Sequence, residues 1–184
     1  MFFEAIKHLF DHTTPDIEDI ENAVILGSTE SAFYHEAGHI AAAIACGAKA
    51  HQAFVDITVP GHSAGQTRMT TTPQQRAIVC LGGAASEIWL FQNGRYRLEN
   101  GKKPSTEEFI DKIDMHVGKD VLDYVEALSS IQNNVAEIDA KILFIEAAHN
   151  LIPQIDWALV ERIVSAMRLQ PYLEENDLTK IIEN

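Results

Sequence analysis

The run Ala32-Phe33-Tyr34-His35-Glu36-Ala37-Gly38-His39-Ile40 sets two histidines four residues apart, with a glutamate directly after the first. On a helix, residues four apart share a face, roughly 40° from eclipsed. Both imidazoles can then reach one metal ion, and Glu36 leans to the same side, where it can hold a water. This is the H-E-x-x-H arrangement of zinc peptidases, in which the carboxylate is the general base. A chain with eight His and 16 Glu among 184 residues contains the triplet by chance about 0.03 times. The bland alternative is a helix that carries two surface histidines. Phe33, Tyr34, Ile40 and the alanines after them argue instead for a buried helix, where two imidazoles need a partner.

The element that must position these groups is readable. Ser28, Thr29 and Ser31 offer an N-cap, Ala32 to Cys46 reads as helix, and Gly47 ends it. Gly38 lies inside that helix at a cost of ~1 kcal/mol relative to Ala, which implies another element packed close against it. A catalytic zinc keeps three protein ligands and one open position. A third histidine six residues after His39 is excluded, because Ala45 stands there. The third ligand must come from elsewhere, and Glu87, Asp120, Asp123, His62 and His116 are the candidates. Glu87 sits in a Gly82-Gly83-Ala84-Ala85-Ser86-Glu87 segment whose small residues permit close helix packing. Its plainer reading is a carboxylate behind a ligand or on the helix surface. His62 falls in a turn and His116 precedes a glycine break. Asp120 and Asp123 fall in the first turn of a helix, where capping and the helix dipole would account for them.

The rest of the chain reads as mainly helical with a small hairpin, an α+β arrangement. Residues 1–26 read as one or two short helices around Pro15, with Phe2, Phe3, Ile6, Leu9 and Phe10 docking on the core. Ala53 to Val59 reads as a strand, Pro60 to Gly65 as a turn, and Gln66 to Thr70 as the return strand. Pro73 opens a helix to about Phe91. Asn93 to Pro104, rich in Gly, Asn, Arg and Lys, is the expected mobile loop. A helix from Thr106 to Met115 follows, then a break at Gly118. Val121, Val125, Leu128, Val135, Ile138, Ile142 and Ile145 keep helical spacing, as one long helix or a pair broken near Asn133-Asn134. Pro153 to Met167 and Asn176 to Ile182 supply the last helices.

Composition narrows the class. The net charge is −13, from 14 Lys and Arg against 27 Asp and Glu, which argues against nucleic acid and anionic membrane surfaces as partners. Cys46 and Cys80 suggest no disulfide framework, so a reducing, cytoplasmic setting is expected. The N-terminus lacks a basic n-region and is not expected to be a secretory signal. No apolar run approaches the ~20 residues that span a bilayer.

Several stretches together resemble the peptidase domain of the FtsH family of ATP-dependent zinc proteases. They are Tyr34-His35-Glu36-Ala37-Gly38-His39, Val55 to Pro60 with Gly65-Gln66-Thr67, Leu81-Gly82-Gly83-Ala84-Ala85-Ser86-Glu87, Gly118 to Ala127, and Trp157 to Ile182. The resemblance divides the chain into a helical extension over residues 1–24 and a zinc peptidase domain over 25–184. It implies a Zn²⁺ ion on His35, His39 and a helix-starting aspartate, with Glu36 as the catalytic base. That family's pattern sets an alanine four residues after its aspartate. Asp123 with Ala127 fits, so Asp123 is the expected ligand and Asp120 a cap or supporting group. The substrate would be a peptide or unfolded protein, bound by strand addition to Val55–Val59 or its return strand. About 30 residues precede the metal helix and no Lys-Ser/Thr phosphate loop is present. Membrane anchoring and ATP-driven unfolding are therefore not expected of this chain, and a separate ATPase or a homo-oligomer is the expected partner besides substrate. The competing expectation is a non-catalytic, zinc-stabilised adaptor module. Retention of Glu36 argues against it, because structural zinc needs no base.

Overall fold

The computed structural model describes residues 2–10, 22–58, 64–131 and 137–183. In chain order the elements are α1 (Phe2–Ile6), β1 (Val24–Ile25), α2 (Thr29–Ala45), β2 (Lys49–Asp56), β3 (Ala64–Thr70), α3 (Pro73–Gln92), β4 (Tyr96–Arg97), α4 (Thr106–His116), α5 (Gly118–Ser129), α6 (Glu137–Leu151), α7 (Trp157–Leu169), β5 (Tyr172–Glu174) and α8 (Glu175–Glu183). Short 3-10 turns follow α1 and α6. The expected class holds: helices dominate, with one three-stranded antiparallel sheet and one two-stranded parallel pair.

Helix starts follow local chemistry. Ser28 caps α2, its Oγ accepting from the Ser31 amide at 3.3 Å. Thr72 and Gln75 form a reciprocal capping box at α3 with Pro73 in the first turn, and Ser105 and Glu108 do the same at α4. Helix α2 ends where Gly47 takes φ +72°, a left-handed conformation that glycine adopts without strain.

Helices α2 and α3 form the centre. At their crossing a Cβ on Gly38 would overlap the Gly82 carbonyl, and one on Gly82 would overlap Gly38. Close approach of the backbones is therefore the reason for both glycines. The partner expected from Gly38 is α3. Helix α7 packs on α2, while α5 and α6 pack on α3. Tyr34, Ile40, Ile88, Phe109, Phe144 and Ile163 are fully buried in one continuous core. Ile6 and Phe10 join that core, with Phe10 edge-on to Phe91 and Phe109.

The sheet order is β3-β2-β5. Strand β2 begins four residues before the expected Ala53 and stops at Asp56. There the Asp56 Oδ1 accepts from the Thr58 amide at 2.8 Å and from its hydroxyl at 2.7 Å, which turns the chain out of the ladder. A bulge at His51 separates the Ala50–Met69 and Gln52–Arg68 pairs. Strand β2 is the middle strand, not an edge. Gln52–Phe54 pair with β5, and the Val55 amide donates to the Pro171 carbonyl at 2.9 Å. Among the described residues, the return strand β3 is an edge strand of this sheet and packs beside α2.

The mobile loop expected over Asn93–Pro104 is instead tied down at its middle. Tyr96 and Arg97 form β4, pair with Val24 and Ile25, and are buried. The Tyr96 hydroxyl and the Ser31 Oγ lie in hydrogen-bond contact at 2.9 Å. Gly118 starts α5 two residues before the expected position, and α5 and α6 are separate helices. Pro15, the Pro60–Ser63 part of the expected turn, Val59, His62 and the break near Asn133-Asn134 lie outside the described residues. No helix among the described residues is long and apolar enough to cross a membrane.

Candidate metal centre

Helix α2 carries His35, Glu36 and His39 on the face that looks between β3 and the start of α5. The His35 Nε2 lies 3.1 Å from the His39 Nε2 and 3.1 Å from the Asp120 Oδ2, and the His39 Nε2 lies 3.4 Å from the same Oδ2. Three atoms each 2.0–2.1 Å from one centre in tetrahedral array stand about 3.3 Å apart. The observed triangle fits that spacing, and His35, His39 and Asp120 form a group that can hold a metal ion.

The hydrogen bonds behind the rings strengthen this. The His35 Nδ1 donates to the Glu87 Oε1 at 2.8 Å, and the His39 Nδ1 donates to the Val79 carbonyl at 2.8 Å. With each ring's proton committed to an outer acceptor, both Nε2 lone pairs and a carboxylate oxygen converge on one point. Three acceptors without a hydrogen between them repel one another, so the cluster requires a cation or a proton. The electrostatics agree. Burial opposes charging of His35, but its hydrogen bonds to Asp120 and Glu87 outweigh burial and hold its pKa well above the ordinary imidazole value. His39 is raised in the same way, burial being overcome chiefly by the Asp120 charge. Asp120 is nearly enclosed, yet His39 and His35 hold its carboxyl far below the usual range. Glu87 is buried too, and His116 and His35 hold it at about 2.

Asp123, the expected third ligand, points elsewhere. Its Oδ1 accepts from the Arg76 Nη2 at 2.8 Å, and its Oδ2 lies 3.5 Å from the Lys119 Nζ. The two aspartates sit one turn apart at the start of α5. That helix begins at Gly118, which puts Asp120 over the histidines and Asp123 over α3. The aspartate brought to the imidazoles is thus Asp120. Glu87 serves His35 from behind. His116, at the end of α4, has its Nδ1 3.7 Å from the Glu87 Oε2.

Glu36 is 5 % exposed. Its Oε2 accepts from the Thr67 hydroxyl of β3 at 2.5 Å. A Cβ on Gly65 would overlap the same carboxylate, so β3 lies directly over it. Gly83 makes the matching space for the His35 ring, where a side chain would collide with the imidazole. The sequence reasoning missed Thr67, Gly65 and the Val79 carbonyl as parts of the site. Gly65-Gln66-Thr67 was visible as a short motif, but a glycine that admits a carboxylate and a hydroxyl that holds it are tertiary facts.

These groups line an open cleft of about 410 Å³. Strand β3 forms one wall, and His116, Lys119, Asp120 and Asp123 belong to the other. Cys80 also lines it. Burial first, then the Asp120 and Asp123 charges, push its thiol up to about 12. No protein-family model and no curated protein matches this chain.

Proposed function

We propose that this chain is a zinc-dependent peptidase of the FtsH kind, cutting peptides or unfolded segments with a water activated in this cleft. The observation that carries the reading is the placement of Glu36. A structural metal site is closed and has no need of a carboxylate that ligates nothing, whereas here one stands beside the candidate ligands in an open cleft. Two imidazoles and one carboxylate make a donor set common in catalytic zinc sites, which supports zinc as the ion. A zinc ion in that place would polarise the scissile carbonyl and bring the pKa of a bound water toward ~7.

The chain's own residues do the rest. Glu36 takes the proton of the attacking water and returns it to the leaving amine as the C–N bond breaks. Thr67 holds the Glu36 Oε2, and the Oε1 lies against Gly65 of β3. Glu87 and the Val79 carbonyl keep both rings presenting Nε2. The open edge of β3 accepts an extended peptide by strand addition, with its backbone passing over Glu36. Both cysteines are free, which suits the cytoplasm.

The test is Glu36→Gln, which keeps shape and reach but is not basic. Zinc affinity should be nearly unchanged, and hydrolysis of casein or a peptide library should fall by the ~10²–10⁴-fold that a positioned proton-transfer group supplies. Equal inertness of wild type and variant, with zinc bound in both, would transfer the reading to an adaptor module. Equal activity would remove Glu36 from the mechanism.

A further inference from the structure

Glu87 meets the metal centre with one oxygen only. Glu87 is 2 % exposed. Its Oε1 is bound to His35, but its Oε2 is fully buried and has no hydrogen-bond partner among the described residues. An unsatisfied buried carboxylate oxygen is costly, on the order of 1–3 kcal/mol or more. The polar group that faces it is the His116 Nδ1 at 3.7 Å. This is about 1 Å beyond a normal hydrogen bond. The His116 side chain is 32 % exposed and lines the cleft. It is also the last residue of α4, joined through Val117 to α5, so it and Asp120 ride on one junction.

We propose that His116 is a positioning residue for the metal centre: its Nδ1–H closes onto the Glu87 Oε2, fixing the carboxylate that orients the His35 ring. The inference rests on the metal-centre reading but not on peptidase activity. The chain His116–Glu87–His35 then runs from the cleft wall to the ligand set. A side chain that holds a ligand's outer partner acts on affinity and ring order without touching substrate.

Four variants test this: His116→Ala, His116→Asn, whose amide N–H replaces the Nδ1 donor, Glu87→Gln, and His116→Ala combined with Glu87→Gln. Two quantities are read: zinc dissociation constants by chelator competition, and the His35 Nδ1–H resonance in ¹⁵N-edited NMR of metal-free and zinc-loaded protein. His116→Ala should weaken zinc binding by about 10–100-fold, the range typical of lost outer partners, and should speed exchange of the His35 proton. His116→Asn should recover most of both effects. In the Glu87→Gln background the His116 change should cost little further. Unchanged affinity and an unchanged His35 resonance in His116→Ala would overturn the proposal, as would an equal loss with and without Glu87. If wild type takes up no zinc, the metal centre itself fails, and the resonance of the metal-free protein still decides the role of His116. If zinc binds in this order but no peptide is cut, only the peptidase reading falls.

Discussion

Two histidine–carboxylate clusters flank the sheet, and they solve opposite problems. On the outer side His51 donates from Nδ1 to the Glu175 Oε2 at 2.6 Å and accepts at Nε2 from the Thr70 hydroxyl at 2.7 Å. The Lys49 Nζ pairs with the Glu175 Oε1 at 2.6 Å. Every contact there has a donor and an acceptor, so the cluster is complete and fastens α8 to the bulge in β2. Beside α2 the same residue types leave three acceptors facing each other, because the ring protons are used outward on Glu87 and Val79. Composition alone would rank the clusters alike. Hydrogen-bond direction separates a structural clasp from a site that awaits a cation.

The largest effect should come from removing the convergent pair. His35→Ala with His39→Ala should abolish stoichiometric zinc binding by elemental analysis of zinc-supplemented protein, while His51→Ala should leave one zinc per chain. Zinc loss from the His51 variant would mean that the outer cluster is the metal site.

A smaller effect follows from protonation. The pKa values of His35 and His39 lie above the ordinary ~6.5. A raised imidazole pKa means the metal-free site holds protons that zinc must displace. Apparent zinc affinity should therefore decline as pH falls, beginning above pH ~6.5 rather than below it. In a chelator-competition titration, affinity that stays flat down to pH ~6 would contradict the raised imidazole pKa values of the cluster. Glu87, held at about 2, works in the opposite sense. Its contribution to stability is present above a free carboxyl's ~4.3 and is lost only as pH falls from there toward 2.

Much of this was legible in the sequence, for identifiable reasons. The metal helix, its Ser28 cap and the Gly38 crossing follow from local chemistry and a 3.6-residue period. The helices at Pro73 and Thr106 are announced by capping residues. Strands β1, β4 and β5 are two or three residues long, too short to show a period of two, and they exist because of partners far along the chain. Asn93–Pro104 has a loop's composition, but Tyr96 anchors it by burial that composition does not reveal. Asp120 and Asp123 are separated by one helical turn with similar neighbours. What assigns them is Arg76, 47 residues earlier in the chain, which holds Asp123 away from the histidines. The carboxylate that the fold brings to the histidines is Asp120, one turn before the Asp123 expected from the sequence.

The assignment of that carboxylate is the most direct test of the whole account. Zinc should be located by anomalous scattering in crystals of zinc-loaded protein, with dissociation constants measured for Asp120→Ala and Asp123→Ala. One zinc site is expected, bonded to the Nε2 atoms of His35 and His39 and to the Asp120 carboxylate. Asp120→Ala should lose affinity by far the larger factor, and Asp123→Ala should stay within several-fold of wild type. Zinc bonded to Asp123, a reversed order of the two constants, or no zinc between the two histidines would contradict it.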